Sequence, residues 1–259
     1  MKKISVFLAL LALFFTDLAL AAGAVVTSTT GTVSVATGQA VPRSLRTGDQ
    51  VAQGDTVITG VNSAAVLKFD DGQVVALTSN SRMQVTNYQY NPQTESGNVL
   101  LSLVSGGMRA ITGLIGRRAP SQVAYRAATA TIGIRGTDVT IATSQGDVVA
   151  TISEGSITFS FEGQTFTLNA GDAVLARSGQ LVIKGTAAQI LAQAPAAIQQ
   201  AVQQQAALIA AVLNASPGNP PQGQPGPPPG EGPPGQPGPP PGQTGPPGGG
   251  SGGGGASGS

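Results

Sequence analysis

The sequence predicts an all-β domain, a compact sandwich or a solenoid-like arrangement of short strands, with a barrel as a further alternative. Between Leu45 and Lys184, short β-branched runs alternate with glycine-containing turns. The turn sequence Gly-Asp-x-Val occurs four times, at Gly48, Gly54, Gly146 and Gly171. No sustained helical period appears before residue 186.

Strict alternation defines the strands. Ile157, Phe159 and Phe161 alternate with hydroxyl residues, which places one face inward and one outward. Glu162-Gly163 then forms the turn, because glycine supplies the positive φ of a hairpin corner. Residues 65–77 and 139–152 repeat this pattern, and strands at spacings of about ten to twelve residues are typical of all-β folds.

The first 21 residues predict a cleavable secretory signal peptide. Two lysines precede the apolar run Ile4–Phe15, and Ala19-Leu20-Ala21 supplies the small residues of a cleavage site. A membrane anchor is the alternative, but a spanning helix needs roughly 20 apolar residues. The sequence therefore predicts an exported protein, periplasmic or secreted, with no membrane span in the mature chain.

Three mature parts follow the signal peptide. Residues 24–185 form the predicted β domain. Residues 186–216 are rich in alanine and glutamine and predict helix, interrupted at Pro195. This segment either docks on the β domain or binds a partner. Residues 217–259 are dominated by proline and glycine without the strict triplet of collagen, which predicts a disordered spacer rather than a polyproline ligand.

Composition excludes several functional classes. The chain contains no histidine and no cysteine, so histidine triads, thiol nucleophiles and zinc sites with nitrogen and sulfur ligands are absent. Removal of residues 1–21 leaves equal numbers of basic and acidic side chains, which is unlike a nucleic-acid-binding protein. We therefore expect no catalytic, metal or cofactor site and no nucleic-acid partner.

The acidic residues lie next to turn glycines, where short polar side chains bond to the local backbone. We therefore interpret them as turn-forming rather than catalytic. The turn residues are Gly48, Asp49, Gly54, Asp55, Asp71, Gly72, Gly171 and Asp172.

The segment Ala128–Val139 is the most unusual in the chain, because it places a charged guanidinium in an apolar run. Arg135 either joins neighbouring turns through Asp138 or another acid, or contacts a partner. The motif residues are Thr131, Gly133, Arg135, Gly136, Thr137 and Asp138.

Together these motifs resemble the FecR-type domain of bacterial extracytoplasmic proteins. The resemblance rests on an ordered set of segments, which are residues 45–60, 65–74, 128–139, 154–157 and 168–174. In the best-known members the domain is the periplasmic part of a transmembrane sensor that controls a sigma factor. Those sensors carry a cytoplasmic helical segment and a membrane span ahead of the domain, whereas a signal peptide precedes it here.

The resemblance therefore implies a non-catalytic binding, scaffold or signalling module of the envelope with a protein partner. A partner strand added to a sheet edge is one binding mode. Two alternatives remain. One is a periplasmic regulator of a sigma-factor pathway. The other is a module associated with glycan or cell wall, suggested by exposed hydroxyl and amide residues together with Tyr88 and Tyr90.

Overall fold

The computed structural model describes residues 23–177 and 182–214, all of which belong to one compact unit. The predicted signal peptide and the proline- and glycine-rich tail lie outside the described residues.

The all-β prediction is confirmed. The strands, in chain order, are β1 (Gly23–Thr30), β2 (Val33–Thr37), β3 (Arg43–Ser44), β4 (Gln50–Ala52), β5 (Asp55–Thr59), β6 (Ala64–Phe69), β7 (Val74–Leu77), β8 (Arg82–Asn91), β9 (Ser96–Ile111), β10 (Val123–Ala127), β11 (Ala130–Ser144), β12 (Asp147–Phe161), β13 (Gln164–Asn169), β14 (Asp172–Ala176) and β15 (Ile183–Thr186).

The strand pairing arranges these strands in two layers. Of the predicted architectures, the sandwich describes this arrangement more closely than the solenoid. The first layer has the order β4-β1-β6-β7-β9-β11-β12-β14-β15. The second has the order β3-β2-β5-β8-β9-β10-β11-β12-β13. The long strands β9, β11 and β12 belong to both layers, one half of each strand to each layer, so that the hydrogen-bonded ladder is continuous.

The main core lies between the two layers. The rings of Phe69 in the first layer and Tyr88 in the second have centroids 5.0 Å apart. Inward residues of both layers form one apolar cluster, including the fully buried Leu67, Leu101 and Phe159. Each such side chain contributes roughly 1.5–3 kcal/mol through its burial. The alternation seen in the sequence is therefore the alternation between this core and the outside.

Glycines in the left-handed region mark the points at which long strands pass from one layer to the other. β11 bends at Gly136 (φ +59°) and β12 bends beside it at Gly155 (φ +74°), where the register between the two strands shifts. A Cβ atom on Gly155 would collide with the carbonyl oxygen of Gly136. The absence of a side chain at Gly155 therefore lets the two strands bend together.

Three α-helices and a short 3-10 helix (Pro120–Gln122) complete the described structure. The α-helices are α1 (Leu114–Arg118), α2 (Ala187–Gln193) and α3 (Ala196–Asn214). The predicted interruption at Pro195 separates α2 from α3. Thr186 caps α2 through reciprocal hydrogen bonds with Gln189. No helix in the described ranges is long and apolar enough to cross a membrane.

The outer face of the first layer carries α2 and the start of α3. Ile190 and Ile198 pack on Val149 and Leu175 in a second apolar cluster. A Cβ atom on Gly107 would lie 2.9 Å from that of Ala201, which shows how closely α3 approaches β9. Of the two predicted roles of the helical segment, docking on the β domain is therefore the one that this part of the segment has.

We expect Gly155→Ala to destabilise the domain much more than Gly163→Ala. Both glycines have positive φ, so each substitution strains the backbone by about 1 kcal/mol. Gly163 has open space around it, whereas Gly155 faces a neighbouring carbonyl, which adds roughly 1–3 kcal/mol. Urea unfolding of both variants measures the difference in their free energies of unfolding. Equal decreases in the two variants would show that the close approach at the bend does not contribute to stability.

Candidate protein-interaction surface

Three of the four Gly-Asp-x-Val turns use the same hydrogen bond. In each, the aspartate carboxylate accepts the main-chain N–H of the residue three positions earlier, while the preceding glycine has φ near +90°. The bonds run to Asp49 from Arg46 (2.9 Å), to Asp55 from Ala52 (2.9 Å) and to Asp172 from Asn169 (2.8 Å). These carboxylates are therefore engaged in closing turns.

The fourth turn differs. Asp147 accepts a hydrogen bond from Nε of Arg177 at 3.3 Å, and the other end of that guanidinium donates to the carbonyl oxygen of Gln193 at 2.5 Å. Arg177 therefore links the hairpin between β11 and β12 to the end of α2. A cation at this position also suits the carbonyl end of a helix.

Asp71 lies in the interior between the layers, although the sequence suggests only a turn. Its Oδ1 accepts hydrogen bonds from the main-chain N–H of Gln73 (3.1 Å) and the hydroxyl of Tyr88 (3.4 Å). Burial raises the pKa of Asp71 above its ordinary value of 3.8, and these hydrogen bonds oppose the rise. Gly72 completes this turn with φ +81°.

Tyr88 cannot serve as a platform for sugars, which corrects the sequence-based suggestion. Its side chain is 2% exposed, and the main-chain N–H of Asp71 donates to its hydroxyl at 3.0 Å. Tyr90 is half-buried and packs against the main core. Neither ring is therefore a freely exposed surface aromatic.

The Ile-Arg-Gly-Thr motif forms the bend of β11. On one side of the bend, the N–H of Thr137 donates to Oγ1 of Thr112 at 2.8 Å. The Thr112 hydroxyl in turn donates to the Thr137 carbonyl, also at 2.8 Å. This reciprocal pair fixes β11 to the end of β9 where the strand enters the first layer. Thr137 is accordingly buried and structural.

Asp138 is largely buried on the outer face of the first layer, the face to which Ala142 also belongs, and its partner is Arg109 rather than Arg135. Nε and Nη2 of Arg109 donate to the two carboxylate oxygens at 2.7 and 2.5 Å, in the paired geometry that arginine favours. Hydrogen bonding to Asp138 raises the pKa of Arg109. The motif therefore divides into a buried half, Thr137 and Asp138, and an exposed half that includes Arg135.

Arg135 is exposed, and it shares the outer face of the second layer with Arg126 and Thr131. Thr131 and Arg135 occupy outward positions of β11, and Arg126 lies opposite Thr131 on β10. No hydrogen bond or ion pair within the described part of the chain engages either arginine side chain. At Gly133, between Thr131 and Arg135, an added Cβ atom would make only an ordinary van der Waals contact, 3.8 Å from Thr158.

The outer face of the second layer, here called the open face, is rich in hydroxyl groups. Its residues from β9 to β13 are Asn98, Leu100, Ser102, Val104, Ala124, Arg126, Thr131, Gly133, Arg135, Ser156, Thr158, Ser160, Thr165, Thr167 and Asn169. In the described ranges α2 and α3 pack on the first layer, not on this face. The open face is the candidate interaction surface.

Sequence reasoning missed two arginines of this region. Arg126 was detectable in principle, because Val123, Tyr125 and Ala127 alternate with it and define it as outward. Arg109 gave no comparable signal, because its contact with Asp138 spans 29 residues of sequence.

Residues 55–158 match the family model described as FecR protein. The match to the FecR family covers 104 of the 259 residues of the chain. The matched segment begins at β5 and ends within β12, so it contains the bend and most of the open face. The FecR resemblance suggested by the ordered turns and by the segment Ala128–Val139 is therefore confirmed.

Two crystal structures of a candidate anti-sigma factor from Parabacteroides distasonis ATCC 8503 are similar to the chain at 12% sequence identity, with TM-scores of 0.43 and 0.42. Each alignment covers 51% of this chain and 59% of that one. The chain thus spans less than two thirds of the length of that protein. No curated protein matches the chain significantly in sequence.

We expect the stability difference between the natural protein and Asp71→Asn to fall as pH rises. A raised pKa means that the folded state holds the proton more tightly than the unfolded state. The resulting stabilisation is fully present below the ordinary value of 3.8 and is lost as pH rises through the folded-state pKa.

Urea unfolding of both proteins at a series of pH values measures this difference. The matched control is Asp70→Asn, which changes the neighbouring exposed carboxylate of the same turn. A difference for Asp71→Asn that stayed constant or grew with pH would contradict the assignment of a raised pKa.

Proposed function

We propose that this FecR-domain protein is a non-catalytic regulatory binding module of the bacterial envelope, and that it binds another protein through the open face. One observation carries the proposal: within the FecR segment, Arg126 and Arg135 project from an uncovered sheet face without a partner in the described chain. The family match supports a regulatory role.

The asymmetry between the two outer faces supports this choice of surface. Apolar residues of the first layer, such as Val149 and Leu175, are covered by helices. The open face instead presents short hydroxyl side chains on a pleated surface, which lose little conformational entropy when they are covered. Arginine at such a position provides both charge and planar packing area, and it is enriched at protein interfaces.

The edge strand β13 borders the open face and extends it. Because a two-residue turn joins β12 to β13, Phe161 and Gln164 form the closing hydrogen-bonded pair. The main-chain groups of Thr165 and Thr167 then point away from β12, towards the free edge. A partner that covers the open face could therefore also bond to this edge, as in strand addition.

An envelope location belongs to the same proposal and is supported by the sequence of residues 1–21. The domain without these residues has no cysteine, so its folding is independent of the redox state of the compartment.

We expect a photo-reactive benzoyl-phenylalanine at position 158, in the centre of the open face, to crosslink to a specific envelope protein in living cells. The same group at Gln203, an exposed position on α3, is the matched control. Immunoblotting and mass spectrometry of the adducts identify the partner, and the adduct is expected to form again when that protein is purified and mixed with this chain.

Adducts that are identical from positions 158 and 203, or absent from both, would contradict the proposed function. Retention on purified cell wall without any protein adduct would likewise oppose it.

We also expect the protein isolated from the extracytoplasmic fraction to begin at Ala22. Intact-mass measurement and N-terminal sequencing test this directly. A chain in that fraction that retained residues 1–21 would indicate an anchor instead of a cleaved signal.

A further inference from the structure

We infer that the open face binds an extended acidic segment of its partner, with two carboxylates four residues apart, one at Arg126 and one at Arg135. This inference rests on the proposed function and adds the chemistry of the partner. It concerns the exposed side of the motif, which the contacts of the buried Thr137 and Asp138 leave unexplained.

The sheet register fixes the separation of the two arginines. Arg126 is opposite Thr131, and Arg135 is four residues further along β11. Four residues of strand span about 13 Å, and the neighbouring strand adds about 4.8 Å at right angles, so the two Cα positions are about 14 Å apart. Carboxylates four residues apart in an extended chain have nearly the same spacing.

The surface between the two arginines allows a peptide backbone to approach closely. Ala124 on β10 is paired with Gly133 on β11, and both are outward positions midway between Arg126 and Arg135. A Cβ atom added to Gly133 would still lie 3.8 Å from the nearest atom, a side-chain carbon of Thr158. Small side chains therefore form a shallow depression with one guanidinium at each end.

Charge explains why the occupant is acidic. None of the open-face residues named above carries a carboxylate, and neither arginine forms an ion pair within the described chain; the acids that border this part of the face, Glu154 and Glu162, lie at the bend and in the turn after β12. Four other guanidiniums of the described chain contact acids, as Arg109 does with Asp138 and Arg118 with Glu95, whereas Arg46 and Arg82 make no ion pair within it. Arginine binds carboxylates through two parallel hydrogen bonds, which gives the recognition a defined direction.

The hydroxyl groups around the depression suit an extended backbone. Thr131 and Thr158 flank Gly133 and present a donor and an acceptor each. An extended peptide exposes main-chain N–H and C=O groups along its length, and these hydroxyls can satisfy them. Arginines would thus select the spacing of the acids, while the threonines would tolerate many side chains between them.

The test uses the mature chain and the blocked peptide Gly-Ser-Glu-Thr-Ser-Thr-Glu-Ser-Gly. Titration is followed through the arginine Nε–H signals in nitrogen–proton NMR spectra. We expect the signals of Arg126 and Arg135 to shift. We also expect roughly tenfold tighter binding than for a peptide with the same composition and adjacent glutamates, and weakening as salt rises.

Arg126→Gln and Arg135→Gln should each weaken peptide binding roughly tenfold, which corresponds to the loss of one charged contact. Arg46→Gln is the matched control, because Arg46 is also exposed but lies in the turn before β4. Unfolding midpoints of the three variants should agree, which separates lost binding from lost structure.

Equal binding of the two peptides, or equal effects of all three substitutions, would overturn the inference. Binding to phosphatidylglycerol vesicles without binding to the peptide would also overturn it, by assigning the arginines to lipid phosphates. These failures differ from failure of the proposed function: a protein adduct from position 158 that persists in the Arg126→Gln and Arg135→Gln variants would preserve the interface and reject the acidic segment.

Discussion

The paired bend of β11 and β12 is the constraint on which the two-layer arrangement depends. Two adjacent strands of fifteen residues each cannot change layers separately without breaking the hydrogen bonds between them. They bend together because Gly136 and Gly155 both adopt positive φ and because Gly155 has no side chain to meet the opposing carbonyl. Both layers, and the core between them, follow from this shared bend.

The bend also determines which residues of the Ile-Arg-Gly-Thr motif are buried and which are exposed. Residues before Gly136 alternate between the core and the open face, whereas Thr137 and Asp138 are buried and bond to Thr112 and Arg109. Residues three apart lie on opposite faces of a regular strand, so the register shift at the bend is what allows Arg135 and Asp138 both to lie on outer faces, of the second and the first layer respectively. The Ile-Arg-Gly-Thr sequence therefore forms the bend between the two layers and also leaves one arginine exposed at the outer surface.

Much of the fold could be predicted because its signals are local. Alternation over residues 157–161 and the Gly-Asp turns depend on neighbours within three positions, and the structure has strands and turns there. The division into layers could not be predicted, because it depends on which half of β9 pairs with β10 and which with β11. The burial of Asp71 is likewise non-local, since its surroundings come from β8 and α1. The candidate surface needed local and non-local information. The motif indicated Arg135, and the strand register placed Arg126 on the same face, opposite Thr131.

The two faces of the domain differ in the kind of contact they can make. The first layer is covered through alanine, isoleucine and glutamine contacts, and Gln205 of α3 bonds to the carbonyl of Ala76. Such contacts are short-ranged and need close shape matching, which suits a helix attached to the same chain. The open face offers charge, which acts over about 8–10 Å at physiological salt, and rotatable hydroxyls, which adapt to what they meet. Within the described chain, the features needed to attract and orient a separate molecule are therefore concentrated on the face that no helix covers.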